Sequence, residues 1–277
     1  MSFVRGRGVL FLAGLLLGGV GLAPVNAEGG PPNAGASSAG MVRIPGMTYE
    51  PFYPSEKGEK VAVEPFSLDR HPVTQAEFLE FVRKHPKWRR SNVPRLFAEE
   101  RFLKNWKGDL DLPGASVAKH PVVWVSWFAA DAYCEAQGKR LPTEAEWELA
   151  ARADAKTRDG MTRAEGVQRI LKWYSKPQKE LRDVGTDTPN IYGVYDLHGL
   201  VWEWVSDFNG SMVSGDNRQE GDRENARFCG GATVGSADVA NYAAFMRFAF
   251  RSSLRAAYTV PNLGFRCARD HNQGKKP

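Results

Sequence analysis

Few side chains in this sequence are placed to do chemistry. The acids Asp196 and Glu203 bracket a glycine-containing turn within Gly193-Val194-Tyr195-Asp196-Leu197-His198-Gly199-Leu200-Val201-Trp202-Glu203-Trp204. A hard cation such as Ca²⁺ takes about six to eight oxygens at about 2.4 Å from carboxylates and main-chain carbonyls, and a tight turn between two acids offers both kinds. The other use of such acids is to bond neighbouring backbone amides. His198, in the same turn, is not an expected ligand, because imidazole suits softer transition metals. The remaining histidines, His71, His85, His120 and His271, are scattered and give no ligand cluster. Three cysteines, Cys134, Cys229 and Cys267, would form one pair in an oxidising compartment and leave one thiol over. No Ser-His-Asp order, P-loop or GxGxxG is legible.

Elements able to position these groups are signalled by caps. Ser126 stands at an N-cap before a segment in which Trp127, Ala130 and Cys134 share a helical face, and Gly138 follows at the expected C-terminal position, so a helix is expected over 127–137. After the basic connection Lys139 to Pro142, Thr143 and Glu146 make a capping box for a second helix over 144–153, which should bury Trp147, Ala150 and Ala151. Thr74 and Glu77 form another box ahead of an inward stripe of Phe78, Phe81 and Val82. Residues 41–46 and 60–68 read as strands, and Arg247 to Arg255, where basic and apolar residues alternate, reads as a further one. Trp202 and Trp204 are expected in the core. From His85 to Lys119 an insertion interleaves Trp88, Phe97, Phe102 and Trp106 with Arg89 and Arg90. Such a stretch either staples a long loop to the core or presents rings and charges to a planar ligand or anionic partner.

Met1 to Ala27 combines Arg5 and Arg7, an apolar run from Val9 to about Leu22 and the small-residue cleavage site Val25-Asn26-Ala27, the pattern of a secretory signal peptide. The run falls short of the roughly 20 apolar residues a spanning helix needs, so no membrane association is expected after cleavage and the address is periplasmic or secreted. Glu28 to Gly40 is rich in Gly, Pro, Ala and Ser and reads as a flexible leader, followed by a domain over 41–270 and a polar tail over 271–277. The formal net charge of +5 comes with no block of like charges and no basic stripe, so nucleic-acid binding is unsupported.

The strings HPVVWVSWFAADAYCEAQGKRLPTEAEWELAAR, GVYDLHGLVWEW and NLGFRC closely resemble the signature of the sulfatase-modifying-factor family, which includes the formylglycine-generating enzymes, and the resemblance runs over about residues 41–270. It implies an α+β, C-type-lectin-like fold, irregular and poor in regular secondary structure. It implies a Cys134–Cys267 disulfide, worth about 3 to 5 kcal/mol on the chain-entropy model, with Cys229 as the odd thiol. It also implies Ca²⁺ on the Asp196 and Glu203 side chains and the carbonyls of Gly199 and Val201, although Leu200 stands where the family usually has asparagine. The family's first calcium site, built around an Asn-Ile pair, has no counterpart in residues 154–183. Catalytic members hold copper(I) on two cysteines after a Gly-Gly-Ser turn. Here Gly230-Gly231-Ala232 replaces that turn and the cysteine positions fall at Gly235 and about Ala243, so neither copper nor a catalytic residue is expected. Cys229 precedes the turn and is a single soft ligand. Arg247, Arg251 and Arg255 would line the groove where catalytic relatives hold an extended peptide, or else form surface ion pairs.

These features favour a secreted or periplasmic member that has lost the copper–cysteine site and acts as a non-catalytic binding or maturation accessory. Its partner would be a peptide or a protein, such as a periplasmic copper-containing reductase. Two other readings stay open: an oxidoreductase that modifies a peptide or siderophore precursor without the cysteine pair, and a calcium-dependent carbohydrate-binding module.

Overall fold

The computed structural model describes residues 40–51, 60–175, 180–209 and 239–271. The expected signal peptide, nearly all of the leader and tail, Cys229 and Gly235 lie outside the described residues.

The chain opens with β1 (Met41–Ile44) and β2 (Met47–Tyr49), continues with β3 (Val61–Val63) and β4 (Phe66–Asp69), and closes with β7 (Ala268–Asp270). β4 is the middle strand of an antiparallel sheet ordered β1-β4-β7, with Ile44 opposite Phe66 and Leu68 opposite Ala268. Residues 60–68 are therefore two strands and not the single one expected. Pro65 has no N–H to give a ladder, and the chain turns there, so that β3 pairs with β2 while β4 pairs with β1. The matching corner after β1 is tight. A Cβ on Gly46 would lie 2.6 Å from the Val63 carbonyl oxygen and 2.7 Å from Pro65, so glycine is required.

The capped helices form as expected. In α1 (Gln75–Lys84) and α3 (Glu144–Ala151) both halves of the capping box are made, by Thr74 with Glu77 and by Thr143 with Glu146. In α2 (Trp127–Ala136) the Ser126 hydroxyl accepts from the Ala129 N–H, and Gly138 takes the left-handed φ of 64° just beyond the helix end. α1 and α2 pack across a ring cluster of Phe78, Phe81, Tyr133 and Phe265 with centroids 5.3–6.1 Å apart. Beside it the Cys134–Cys267 disulfide joins α2 to the segment entering β7, in agreement with the pairing implied by resemblance. In the insertion, Trp88, Phe102 and Trp106 are buried, and the Trp106 indole donates to Gln75 Oε1 at 2.5 Å. Stapling to the core is thus their role, whereas Phe97 is 38% exposed.

Two more helices follow, α4 (Ala164–Tyr174) and α5 (Val239–Ser252), with the short parallel pair β5 (Trp202–Glu203) and β6 (Leu263–Gly264). α5 corrects the expectation of a strand over 247–255. Arg247, Arg251 and Arg255 recur every four residues, which is the helical repeat, and buried partners on α3 and α4 decide between the two patterns. Among the described residues no helix is long and apolar enough to cross a membrane.

Candidate functional site

β5 carries Glu203 into the centre of the molecule, where both it and Arg266 have completely buried side chains. Arg266 Nε and Nη2 donate to the two Glu203 oxygens at 2.8 and 2.7 Å, and its remaining N–H groups reach the carbonyls of Tyr195, Asp69 and Arg70. All five guanidinium donors thus have acceptors, the condition under which burying such a pair is tolerable. The Trp147 indole donates to the same carboxylate at 2.7 Å. Next along the chain, Asp69 accepts from the Cys267 N–H and from Lys139, anchoring the disulfide strand to β4.

The other acid of the glycine turn differs. Asp196 has a left-handed φ of 57°, and its Oδ2 accepts the Gly185 N–H at 2.6 Å. Its Oδ1 lies 3.1 Å from Arg182 in an ion pair whose angle makes no hydrogen bond. Gly199 has φ 97°, and Val201 is buried. The Glu203 carboxylate, the other acid expected to bind calcium, is committed to Arg266 and Trp147. A Ca²⁺ here would fit only by drawing on Asp196 and main-chain carbonyls, or by displacing Arg266. Among the described residues no three His, Cys, Asp or Glu side chains converge as a metal site.

A second charged assembly joins α3 to α5. Arg247 grips Glu148 through two bonds of 2.9 and 2.8 Å, and Arg251 bridges Glu148 and Glu144 at 2.8 and 2.7 Å. Burial alone would raise the Glu148 pKa, but the two guanidiniums overcome it and hold the carboxyl at about 2. Arg247 and Arg251 are 1% and 4% exposed, so they tie two helices together and do not line an open groove; this corrects the groove reading for both. Arg255 alone is exposed, its guanidinium over the Tyr258 ring. The spacing that could have revealed the network was present: Glu144 and Glu148 are four apart, as are Arg247 and Arg251, and each pair marks one helical face.

Ala243, near which the family resemblance puts the second cysteine position, packs on α5 with Met161, Val167 and Ile170 in an apolar cluster beneath α4. Its carbonyl accepts from the Tyr174 hydroxyl at 3.3 Å. Trp204 is buried, as expected, but Trp202 is only partly so. Its ring stacks on Phe250 at 4.5 Å and on Tyr174 at 5.1 Å, with Trp173 tilted beside it. Behind this ladder a cavity of about 370 Å³ is lined by Trp173, Asp187, Asn190, Asp196 and His198 among others. Nε2 of His198 lies 3.0 Å from the Ala151 carbonyl, which fixes it as the protonated nitrogen of a neutral ring. Burial, with Arg247 nearby, pushes the His198 pKa down to about 4.

Comparison with known proteins places this geometry in context. Residues 27–271 match the family model described as a sulfatase-modifying factor enzyme 1-like domain. The chain is 31% identical over 281 residues to an inactive C-alpha-formylglycine-generating enzyme 2 from Bos taurus, covering 82% of this chain and 87% of that protein. It is 31% identical over 310 residues to a formylglycine-generating enzyme from Streptomyces coelicolor, covering 88% and 93%. Among solved structures, PvdO from Pseudomonas aeruginosa is similar with a TM-score of 0.45 at 19% identity, covering 83% of this chain and 94% of that one.

Proposed function

The chain belongs to the sulfatase-modifying-factor family, and from that premise we propose that it is a non-catalytic member, a binding or maturation accessory of the periplasm or of the secreted space. The observation that carries this reading is Ala243. About where the family resemblance puts the second copper ligand, the chain carries a methyl group packed beneath α4, and no cysteine follows the diglycine of 230–231 until Cys267, which is in the disulfide. Copper(I) bound in family members activates oxygen; here a soft-metal pair has neither ligand. Similarity to a relative called inactive supports the same view. The partner would be a peptide or a protein, with a copper-containing periplasmic reductase as the specific candidate.

The test is anaerobic copper(I) titration followed by oxygen uptake with a cysteine-containing peptide. No stoichiometric tight copper and no aldehyde are expected, and one-to-one copper with aldehyde formation would overturn the proposal. For calcium, we propose at most a weak site that uses the Asp196 carboxylate with the carbonyls of Gly199 and Val201. Its affinity would be on the order of 10⁻³ to 10⁻⁴ M, as in extracellular modules with few charged ligands. Calorimetric titration should show this binding abolished in Asp196→Asn.

A further inference from the structure

The face that α2 shares with the insertion carries a separate cavity of about 310 Å³, walled by three aromatic rings, the acids Asp131 and Glu135, and Lys87. Phe97 stands edge-on between Trp88 and Phe128, with centroids 6.3 and 5.3 Å away and interplanar angles of 68° and 82°. All three rings line the same cavity, and an aromatic ring attracts a cation placed against its face. Along α2, Phe128, Asp131 and Glu135 fall at spacings of three and four and so share one helical stripe. Asp131 and Glu135 make no ion pair among the described residues, and burial, then the Glu135 charge, raises the Asp131 pKa. Neither carboxylate is paired as the acids of the α3–α5 network are, Asp131 being half-buried and Glu135 exposed. The Trp88 indole Nε1 is itself buried and finds no acceptor within the described residues. Lys87 already places its ammonium 5.6 Å from the Trp88 ring centroid, evidence that a cation is at home against this ring.

We propose that this cavity is a receptor for a basic side chain, the ammonium or guanidinium of a lysine or arginine on a partner peptide, held by Trp88, Phe97 and Phe128 and countered by Asp131 and Glu135. Lys87 competes for the Trp88 ring and sets a ceiling on affinity. The site is distinct from the α3–α5 region and does not depend on whether copper or catalysis survives there.

The test follows the Trp88 indole resonance in NMR titrations with N-acetyl-lysine methylamide, N-acetyl-arginine methylamide and the neutral norleucine analogue. Expected are saturable shifts with one or both basic probes and binding about tenfold weaker or absent with norleucine. Asp131→Asn combined with Glu135→Gln should weaken the basic probes about tenfold, Phe97→Ala should weaken them severalfold, and Lys87→Met should tighten them. Unchanged melting temperatures would show that each variant folds. Equal binding of norleucine, indifference to the double acid substitution, or no shift with either basic probe at its solubility limit would each overturn the proposal.

Discussion

The molecule uses arginine–glutamate pairing twice, and the two uses differ in what they demand. Arg266 and Glu203 form a closed unit at the centre, every guanidinium donor bonded and neither side chain touching water. Arg247, Arg251, Glu148 and Glu144 form an open chain between α3 and α5, in which two cations share one buried carboxylate and the second, Glu144, has a 29% exposed side chain. The closed unit has a single satisfactory arrangement and behaves as architecture. The open one can lose a member and still leave each arginine a carboxylate or carbonyl to reach, so it is the more adjustable of the two.

The sharpest way to break that contrast is Glu203→Ala. Leaving Arg266 buried without its carboxylate should cost about 3 to 5 kcal/mol or prevent folding, read by urea denaturation. Replacing Cys134 and Cys267 together by serine comes next. Opening a loop with 133 residues of separation should cost about 2 to 5 kcal/mol, with the loss matched by reduction of the wild-type protein. Glu148→Gln should cost less, about 2 to 3 kcal/mol, because Arg251 keeps Glu144 and the amide oxygen still accepts from Arg247.

Acid titration sharpens the comparison further. The folded pKa of Glu148, about 2, lies below its unfolded value, so its contribution is complete above about pH 4.5 and is lost as pH falls toward 2. The folded pKa of His198, about 4, also lies below its unfolded value of 6.5. The unfolded chain therefore binds the proton first, and stability falls between pH 6.5 and 4. The expected record is a loss of stability in two stages, the upper abolished in His198→Leu and the lower in Glu148→Gln. At the small end, Glu80→Ala breaks only the exposed pair with Arg83 and should change stability by less than about 0.5 kcal/mol.

Much of the frame was legible because its signals are local. Thr74 with Glu77, Ser126, and Thr143 with Glu146 start their helices within four residues, and the periodicity behind each cap is strong. The disulfide came from the family signature and not from spacing. What escaped was long-range. The partner of Glu203 is 63 residues away and that of Arg247 is 99, and no window of sequence contains both members of either pair. The strand reading at 247–255 failed for the same reason. Apolar residues at Met246, Phe248 and Phe250 imitate alternation, and only the acids of α3 show which repeat governs. The glycine turn was found where expected, but the commitment of Glu203 to Arg266 could not be read from the turn alone.

β4, laid down early in synthesis, waits for β7 to complete its sheet, and Arg266 caps the carbonyls of Asp69 and Arg70 from 197 and 196 residues downstream. A chain complete only as far as β5 therefore lacks one edge of its sheet, the cation for Glu203 and half of its disulfide. Closure of the sheet, of the central ion pair and of the disulfide all wait for residues 266–270, so the long-range contacts of this fold are made last.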